Sequence, residues 1–417
     1  MSSFSIPLSG LNATQQALNV ISNNLSNLNT TGFKDQTANF QDLFYQNFGT
    51  TGAGNPIQVG AGSEMGSISS NFTNGSLQST GVPSDVAITG NGFFIVQDPN
   101  GTVEYTRAGD FGVNSQGQLV TVSGQTVLGY PATAGVVNQA APLAPLQVGG
   151  SAISPPAATT TMQQTTNLNA GAAVGDQYST PMTVYDSLGT PHVLTFTYTN
   201  TGPGAWSYQI TLPAADTGGT GNPTVITSGN MKFDSNGNLT SPTGQITGIN
   251  ITGLADGAAN MSLTWNLAGQ GGTSLITQVD APSATTTTNQ NGYSSGTLQS
   301  YTVESNGTIE GQFSNGQVQA LGQFALAQFA NPQGMQLTGG DSYAPTLASG
   351  GAVIGVPNSG TLGTLTGGAL ESSNVNISSE FTNLIVVERA FQADARMITT
   401  LDTVTSDTIN LQAQPGN

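Results

Sequence analysis

The chain has 417 residues, with 22 acidic and 5 basic residues, a formal net charge of -17 and no cysteine. So few basic residues cannot form the positive surface that nucleic acid requires, and anionic membranes repel an acidic chain, so both partner classes are excluded. The lack of cysteine excludes disulfides, thiol nucleophiles and cysteine-ligated metals.

The length predicts two or three domains, because domains average about 150 residues. The 55 glycines and the low charged fraction of 6% favour many short strands and tight turns over helical bundles. Residues 1–7 lack the basic and apolar regions of a secretory signal peptide, and no apolar run reaches the ~18 residues of a membrane span. We therefore expect no membrane insertion, and either release through a dedicated export machine or a place in the cytosol.

Near the N-terminus, apolar residues follow a heptad repeat that predicts an amphipathic helix. The stripe consists of Phe4, Leu11, Leu18, Ile21, Leu25 and Leu28. Pro7 suits the first turn of a helix, and Thr31-Gly32 marks its end. Many other positions hold Asn and Ser, which are poor helix formers, so this helix is marginal by itself. We expect it to become ordered when its stripe is buried against another one.

A second heptad repeat lies near the C-terminus. It is formed by Ile377, Leu384, Phe391 and Ile398, and is widened by Phe381, Ile385, Val387 and Leu401. Two interpretations are open, namely two separate helices packed on one globular core, or mutual coiling of the two ends. Matching repeats at opposite ends, with almost nothing helical between them, favour coiling.

The segments between the two repeats predict β structure. Val86–Val96 is typical of a strand, a turn and a second strand, and Asn114–Gln118 and Ser314–Gln317 are typical of hairpin turns. Low-complexity runs at 131–160 and 281–296 bracket a block that we interpret as one β domain inserted into another.

The residues that follow the first helix are rich in Gly, Asn, Ser and Thr with scattered aromatic side chains. This composition, over residues 33–78, indicates an extended and weakly packed linker.

Few residues carry recognisable chemistry. The single histidine, His192, and the nearby Asp186 lie in a strand–turn–strand pattern, which favours a turn aspartate and a histidine at a strand edge over a catalytic or metal site. Asp234–Asn238 spaces its oxygen atoms like the start of a calcium loop, but a β-turn explains it better because the rest of such a loop is missing. We therefore expect no enzyme, no catalytic residue, no cofactor and no metal.

Several segments resemble the flagellar rod, hook and hook-associated proteins. Asn23–Lys34, "NNLSNLNTTGFK", is similar to their N-terminal signature, and Ala369–Val404 is similar to their C-terminal one. The segments Ser84–Gln97, Glu104–Val120 and Ser314–Met335 resemble their shared β domain. The family motif residues are Asn23, Asn24, Asn27, Asn29, Gly32, Phe33, Asn374, Glu380 and Arg389.

Within this family the inserted block favours the hook proteins, because Ser179–Tyr198 is similar to their outer domain. The resemblance implies a mainly β fold with α-helical termini that form a coiled coil, a middle β domain built from two chain segments, and an inserted outer β domain. The corresponding boundaries are 1–30 and 372–417 for the helical domain, 31–78 and 362–371 for linkers, 79–147 and 297–361 for the middle domain, and 148–296 for the outer domain.

The resemblance also implies a function. Proteins of this kind are structural subunits that polymerise into a short, curved, hollow tube, a flexible joint that transmits torque from rod to filament. Their implied partners are further copies of the same chain, the rod, the hook cap, the hook–filament junction proteins and the flagellar export apparatus. The implied location is the flagellum outside the cell, reached without a cleaved signal peptide.

Two groups of polar residues are expected to act in assembly. Asn23, Asn24, Asn27 and Asn29 would hydrogen-bond between subunits or to channel water, although Asn29 is better explained as part of a fraying helix end. Arg389 and Arg396 lie seven residues apart and so share a helix face. They would form ion pairs between subunits, or else remain ordinary solvated charges.

Three other functions stay open at this point. A distal rod protein is the nearest alternative, although it would not need the inserted block. A secreted β-rich adhesin or surface-layer protein would share the acidic, cysteine-free composition, but would not need paired heptads at its ends. A polysaccharide-degrading enzyme would need two carboxylates that converge only in space.

Overall fold

The computed structural model describes residues 4–149 and 152–412. Within them, helix α1 (Ser5–Ser26) and helix α2 (Ile377–Gln412) lie at the two ends, and the segments between them are almost entirely strands and turns. This confirms the predicted mainly β fold with α-helical termini. Neither helix, nor any other among the described residues, is long and apolar enough to cross a membrane.

The strands are short and numerous. Before residue 150 they are β1 (Gln36–Asp42), β2 (Gln46–Thr50), β3 (Pro56–Val59), β4 (Ser63–Ser70), β5 (Leu77–Ser79), β6 (Val86–Thr89), β7 (Phe93–Gln97), β8 (Val103–Thr106), β9 (Gly112–Val113), β10 (Leu119–Val120), β11 (Thr126–Thr133), β12 (Val136–Val137) and β13 (Ala144–Pro145). The next group is β14 (Ile153–Ser154), β15 (Thr161–Asn169), β16 (Gln177–Tyr185), β17 (Pro191–Gly202), β18 (Ala205–Leu212), β19 (Thr224–Phe233), β20 (Leu239–Ser241), β21 (Gln245–Ile251), β22 (Met261–Asn266), β23 (Ile276–Val279), β24 (Ala284–Gln290) and β25 (Gly296–Val303). The last group is β26 (Thr308–Phe313), β27 (Val318–Phe324), β28 (Leu326–Gln328), β29 (Gln336–Gly339), β30 (Ser342–Ala344), β31 (Val353–Gly355), β32 (Thr364–Gly367) and β33 (Ala369–Glu371). Three short 3-10 helices lie at Ala214–Thr217, Gln270–Gly272 and Pro332–Gly334.

The chain divides into two compact units. The first unit combines Met1–Gly150, Tyr301–Gly311 and Ala320–Asn417, and the second combines Ser151–Ser300 and Gln312–Gln319. Each unit has a hydrophobic core of its own.

The two terminal helices of the first unit run antiparallel. Asn24 near the end of α1 contacts Glu380 near the start of α2, and Gly10 near the start of α1 lies against Asp394, much further along α2. The residues of α1 that are buried are Pro7, Ala13, Ala17, Val20, Ile21 and Asn24. The predicted stripe residues Leu11, Leu18, Leu25 and Leu28 are only half-buried, because the small Ala13 and Ala17 form the closely packed face.

Helix α2 uses one side for these contacts. Its half-buried positions are Leu384, Val387, Phe391, Asp394, Ala395, Ile398 and Leu401, and all of them except Ala395 follow a heptad. The predicted stripe residues Ile377 and Phe381 are exposed, so the packed part of the seam begins at Leu384. Helix α2 has 36 residues and α1 has 22. At about 1.5 Å per residue, α2 is therefore longer by roughly 20 Å.

The segments expected to be linkers contain strands instead. Between residues 31 and 78, β1 pairs with β4 and β2 pairs with β3, both antiparallel. Between residues 362 and 371, β32 pairs with β6, and β33 pairs with β5. Most side chains of β1 to β5 are exposed, so these strands lack the alternation of apolar and polar residues that reveals a strand in a sequence.

The β part of the first unit is organised around β7. This strand pairs with β8 on one side and with β11 on the other. Its Phe94 and Val96 enter one hydrophobic core, whereas Phe93 and Ile95 enter a second core on the opposite face. Successive side chains of a strand point to opposite faces, so a strand covered on both sides is apolar at every position. This explains the continuous apolar run at Phe93–Val96, and the strand–turn–strand prediction for Val86–Val96 is confirmed.

The second unit contains two five-stranded sheets. One is an antiparallel meander in the order β16-β17-β18-β19-β20, and the other has the order β21-β22-β15-β23 with β24 also paired to β15. Alternate residues of β15, β16 and β17 are buried, and one core cluster contains residues of both sheets. Phe196 from the meander meets Trp265 from the other sheet edge to face, with 5.0 Å between ring centroids.

We expect Phe196→Ala to destabilise the second unit by about 3–5 kcal/mol, because Phe196 is fully buried between the sheets. The two tryptophans of the chain, Trp206 and Trp265, both lie in this core, so urea unfolding followed by their fluorescence reports on this unit alone. Val193→Ala, at an exposed position of the same strand, is the matched control and should cost less than about 1 kcal/mol. Equal losses in the two variants would contradict the proposed core.

Candidate functional site where the two chain ends meet

Asn24 links three segments through its side chain. The amide is fully buried, its Oδ1 accepts a hydrogen bond from the Gln36 backbone N–H (3.0 Å), and its Nδ2 donates to the Gln36 carbonyl (2.7 Å). Nδ2 also lies 3.3 Å from Oε2 of Glu380. An asparagine amide offers the same donor and acceptor as a peptide group, so Asn24 pairs with the start of β1 as a neighbouring strand would.

The chain turns sharply after α1. Asn27 donates from Nδ2 to the carbonyl of Asn23 (2.9 Å), and the N–H of Thr30 donates to the carbonyl of Asn27 (3.2 Å). Gly32 then has a φ of +72°, and a Cβ at this position would lie 2.6 Å from the carbonyl carbon of Arg107. Only glycine tolerates both the left-handed conformation and this close approach.

A buried group of three charges lies beside this turn. Nζ of Lys34 is 2.7 Å from Oε1 of Glu371, and Nη1 of Arg107 is 3.6 Å from Oε2 of the same carboxylate. The side chains of Lys34 and Glu371 are completely buried, and that of Arg107 is 3% exposed. One carboxylate of the C-terminal segment therefore binds a cation from the N-terminal segment and a cation from the β region.

Backbone groups complete the surroundings of this charged group. Oε1 of Glu371 accepts from the N–H of Gly75 (2.8 Å), and Nζ of Lys34 donates to the carbonyl of Thr73 (2.9 Å). Nη2 of Arg107 donates to the carbonyl of Gly90 (2.8 Å), and the N–H of Gly32 donates to the carbonyl of Glu371 itself (2.8 Å).

Burial dominates the electrostatics of the two cations. It lowers the pKa of Lys34 and that of Arg107, although the nearby Glu371 carboxylate acts in the opposite direction on both. The removal of these charges from water therefore costs more than their attraction returns. Such a group determines which segments come together more than it stabilises the fold.

Asn374 connects the start of the C-terminal segment to the strands. Its Oδ1 accepts from the backbone N–H of Asp35 (2.8 Å), and its Nδ2 donates to the carbonyls of Asn71 (2.8 Å) and Thr73 (3.1 Å). Burial raises the pKa of the Asp35 carboxyl group. The segments 24–36, 71–75 and 371–380 are thus joined in one place, which we call the terminal junction.

The structure brings part of the predicted motif together. Asn24, Gly32, Phe33, Asn374 and Glu380 lie at the terminal junction. The expectation that Asn24 hydrogen-bonds between subunits or to channel water is wrong, because its amide is buried inside its own chain. Asn27 is likewise bonded within its own helix end.

The other motif residues face solvent. Asn23 and Asn29 are exposed, and Asn29 lies in the turn after the helix. Arg389 and Arg396 are exposed on α2, and neither makes an ion pair within residues 4–149 and 152–412. Their predicted pairing between subunits stays a prediction.

The sequence did not reveal the charged group at the junction, namely Lys34 and Glu371 together with Arg107 from the β region. The signal was the scarcity of charge. Lys34 follows directly after the motif residue Phe33, and only five basic residues occur in the chain. In so weakly charged a sequence, a lysine in an apolar and glycine-rich context is a candidate for a buried ion pair.

Apolar side chains are exposed on two surfaces of the first unit. On α2 they are Ile377, Phe381, Ile385, Val386, Met397, Val404, Ile409 and Leu411. On and beside β1 to β4 they are Phe40, Phe44, Tyr45, Phe48, Ile57, Val59 and Ile68. Exposed apolar surfaces of this extent mark sites of association with other molecules.

The second unit contains one further cluster of titratable groups. Asp186, His192 and Asp256 each offer one potential metal-ligating atom, all within 4.8 Å of one another. The ring nitrogens of His192 lie at hydrogen-bond distance from carboxylates, with Nε2 3.1 Å from Asp186 and Nδ1 2.9 Å from Asp216. We therefore interpret the cluster as a hydrogen-bonded ion network. Asp186 is the turn aspartate that was predicted, and His192 lies at the beginning of β17, where it is buried.

The predicted turn at Asp234–Asn238 is confirmed. Oδ1 of Asp234 accepts from the backbone N–H groups of Asn236 (2.9 Å) and Asn238 (2.8 Å). These bonds lower the pKa of the carboxyl group, in a solvent-exposed turn.

Four segments match described protein families. Residues 6–34 match "Flagella basal body rod protein", residues 87–167 match "Flagellar hook protein FlgE/F/G D1 domain", residues 159–293 match "Flagellar basal body protein FlaE D2 domain", and residues 366–411 match "Flagellar basal body rod FlgEFG protein C-terminal". The two terminal matches contain most of the terminal junction.

Curated relatives match over nearly the whole chain. The flagellar hook protein FlgE of Salmonella typhimurium is 38% identical over 425 residues, covering 98% of this chain and 100% of the relative. FlgE of Escherichia coli K12 is 36% identical with the same coverage. A crystal structure of Helicobacter pylori flagellar hook protein FlgE2 aligns with a TM-score of 0.51 at 16% identity, over 71% of this chain and 100% of that one, which shows similarity of fold alone.

We expect Glu371→Ala to destabilise the first unit by about 3–5 kcal/mol, because it leaves Lys34 and Arg107 buried without their common counterion. Scanning calorimetry of the full chain should show a lower transition temperature. Glu388→Ala removes the same charge from an exposed position of α2 and is the control. Unchanged unfolding of the Glu371 variant would contradict the structural role of this carboxylate.

Proposed function

The chain belongs to the flagellar hook protein family and is a structural subunit of the flagellar hook, and we propose that its terminal helices and the adjoining strands carry its self-assembly. Hook proteins form part of the flagellum outside the cell. The observation that carries the proposal is the set of exposed apolar side chains on α2, which a folded monomer leaves in water.

The length difference between the helices supports this proposal. Asn24 pairs with Glu380 and Gly10 with Asp394, so the antiparallel alignment places the start of α1 near residue 400 of α2. Beyond that point α1 offers no further partner, and Val404, Ile409 and Leu411 are 56%, 60% and 75% exposed. We infer that the last three turns of α2 become buried against helices of neighbouring subunits, as the coiling of the termini requires.

A groove beside the junction gives a second surface for association. It encloses about 210 Å³ and is lined by Val20, Ile21, Ala38, Phe40, Val386 and Val387, among others. The hairpin of β2 and β3 presents Phe48 and Ile57, which are 64% and 45% exposed. Such aromatic and aliphatic side chains supply most of the binding energy when an interface buries them.

The finer features of the function follow from the family resemblance and are part of the proposal. The polymer would be a short, curved, hollow tube that bends while it transmits torque. The helices would form its inner layer, and the β domains would form the middle and outer layers. Its partners would be the rod, the hook cap, the hook–filament junction proteins and the export apparatus, which would pass the chain unfolded and without a cleaved signal peptide. No catalysis, cofactor or metal is part of this function.

The alternatives are less well supported. The chain covers the hook relatives end to end, including the segment 159–293. A distal rod protein or an adhesin would not account for that coverage.

We expect the double substitution Phe381→Asp and Ile385→Asp to abolish polymerisation and to leave the monomer folded, because both side chains are more than half exposed. Electron microscopy of the purified chain under salting-out conditions would show tubes only for the parent protein, and circular dichroism would show unchanged secondary structure.

The matched control is Thr382→Asp and Gln392→Asp, which adds the same charge at exposed polar positions of α2. Tubes from the control but not from the apolar double variant would identify the apolar face as the contact. Loss of tubes in both would assign the effect to added charge, and tubes from both would contradict the assembly role of this face.

We also expect assembly to increase with salt concentration. A charge of -17 per subunit opposes close packing, and ions screen that repulsion over about 10 Å at 0.1 M. Sedimentation of polymer at increasing sodium chloride concentration measures the effect, and a steady decrease in polymer with salt would contradict it.

Arg389→Ala should lower the yield of polymer most at low salt if Arg389 forms an ion pair between subunits. It should have no effect on the yield if Arg389 is only solvated.

A further inference from the structure

His192 occupies an unusual position in the second unit, because it is buried between carboxylates of three segments. It is the second residue of β17 and is only 4% exposed. Nδ1 lies 2.9 Å from Oδ2 of Asp216 in the 3-10 helix, while Nε2 lies 3.1 Å from Oδ2 of Asp186 and 3.9 Å from Oδ2 of Asp256. No other charged group within the described residues is paired with this imidazole.

The two ring nitrogens face acceptors on opposite sides, and this arrangement suits only the protonated ring. An imidazolium donates from both nitrogens, whereas a neutral imidazole has one N–H and directs a lone pair at the other carboxylate. We propose that His192 is a proton-dependent clamp, which holds the segments 214–219 and 252–258 against β17 while it is protonated and releases them when it loses its proton.

Which hydrogen bond of His192 breaks on deprotonation depends on how strongly Asp186 and Asp216 are fixed by their own surroundings. Asp186 is fully buried, and its Oδ1 accepts from the backbone N–H groups of Leu188 (2.8 Å) and Thr190 (2.9 Å). Asp216 is 24% exposed and lies in a helix of a single turn. A neutral His192 would therefore keep its N–H directed at Asp186 and lose Asp216.

Loss of the hydrogen bond between His192 and Asp216 would also affect the segment 252–258. The carbonyl of Asp216 accepts from the backbone N–H of Ala255 (2.9 Å), next to Asp256, whose Oδ1 accepts from the N–H of Ala258 (3.0 Å). The 3-10 helix and the 252–258 loop are thus joined through their backbones, and both lie on the surface of this unit.

The pKa shifts agree with this geometry. Burial acts to lower the pKa of His192, but the hydrogen bonds and charges of Asp216 and Asp186 outweigh it and raise the pKa. For Asp186, burial acts to raise the pKa, but its interaction with the Asp256 carboxyl group and the hydrogen bonds from Thr190 and His192 lower it to about 2. The stabilisation is therefore complete between about pH 4 and pH 6.5, the ordinary pKa values of the two groups. It is lost as the pH rises through the raised pKa of His192, or falls towards 2.

Because His192 is the only histidine, its titration is measurable in the full chain by NMR of the ¹³C-labelled imidazole. We expect one resonance with a pKa above 6.5. Hydrogen exchange of the Ala255 amide, corrected for the intrinsic pH dependence, should accelerate by about tenfold for each pH unit above that pKa. Peptides from β18, within the same core, should keep their protection over this range.

Two variants test whether the His192–Asp216 hydrogen bond acts as the clamp. Asp216→Asn preserves the shape of the side chain and an acceptor oxygen but removes the charge, so it should return the pKa of His192 towards its ordinary value and move the acceleration at Ala255 to correspondingly lower pH. His192→Gln should abolish the pH dependence. Asp234→Asn, in an exposed turn of the same unit, is the control and should change neither quantity. A pKa of 6.5 or below in the parent chain, or the same alkaline acceleration in His192→Gln, would overturn the clamp.

Discussion

The way in which the two chain ends join the β region of the first unit depends on the buried carboxylate of Glu371. It binds Lys34 from the N-terminal segment and Arg107 from the β region, and the backbone carbonyl of the same residue binds the N–H of Gly32. Because burial of these charges costs more than their attraction returns, the group contributes specificity more than stability. Another register of the two termini would leave a buried cation without its partner. The charged group therefore selects one way of joining the chain ends.

The unusual composition of α1 becomes understandable from this junction. Asparagine is a poor helix former because its amide competes for backbone hydrogen bonds. In Asn24 the same ability to bond to backbone groups joins two segments, because the amide pairs with the backbone of Gln36 and lies at hydrogen-bond distance from Glu380. The end of α1, the start of β1 and the start of α2 thus become ordered together. A helix that is marginal by itself is completed by bonds that exist only when the C-terminal segment is present.

Local patterns predicted much of the fold, and contacts between distant segments did not follow from them. The heptad repeats predicted both helices, and apolar segments such as Val86–Val96 predicted strands, because each pattern records burial on one face or along one run. The same repeats failed to identify the packed face of α1, since Ala13 and Ala17 carry little hydrophobic signal. Strands β1 to β5 were missed because most of their side chains are exposed, and Lys34 gave no sign that its partner lies 337 residues away.

In the proposed assembly, helix α2 makes two kinds of contact through different residues. Its half-buried seam, from Leu384 to Leu401, packs against α1, whereas Phe381, Ile385 and residues 404–411 are exposed. If one face served both purposes, burial within the chain and burial between subunits would compete. Since the terminal junction fixes the rotation and the register of α2 from within the chain, the free apolar face is already oriented before a neighbour arrives. Ordering costs are then largely met inside the subunit, and association needs only the burial of the remaining apolar area.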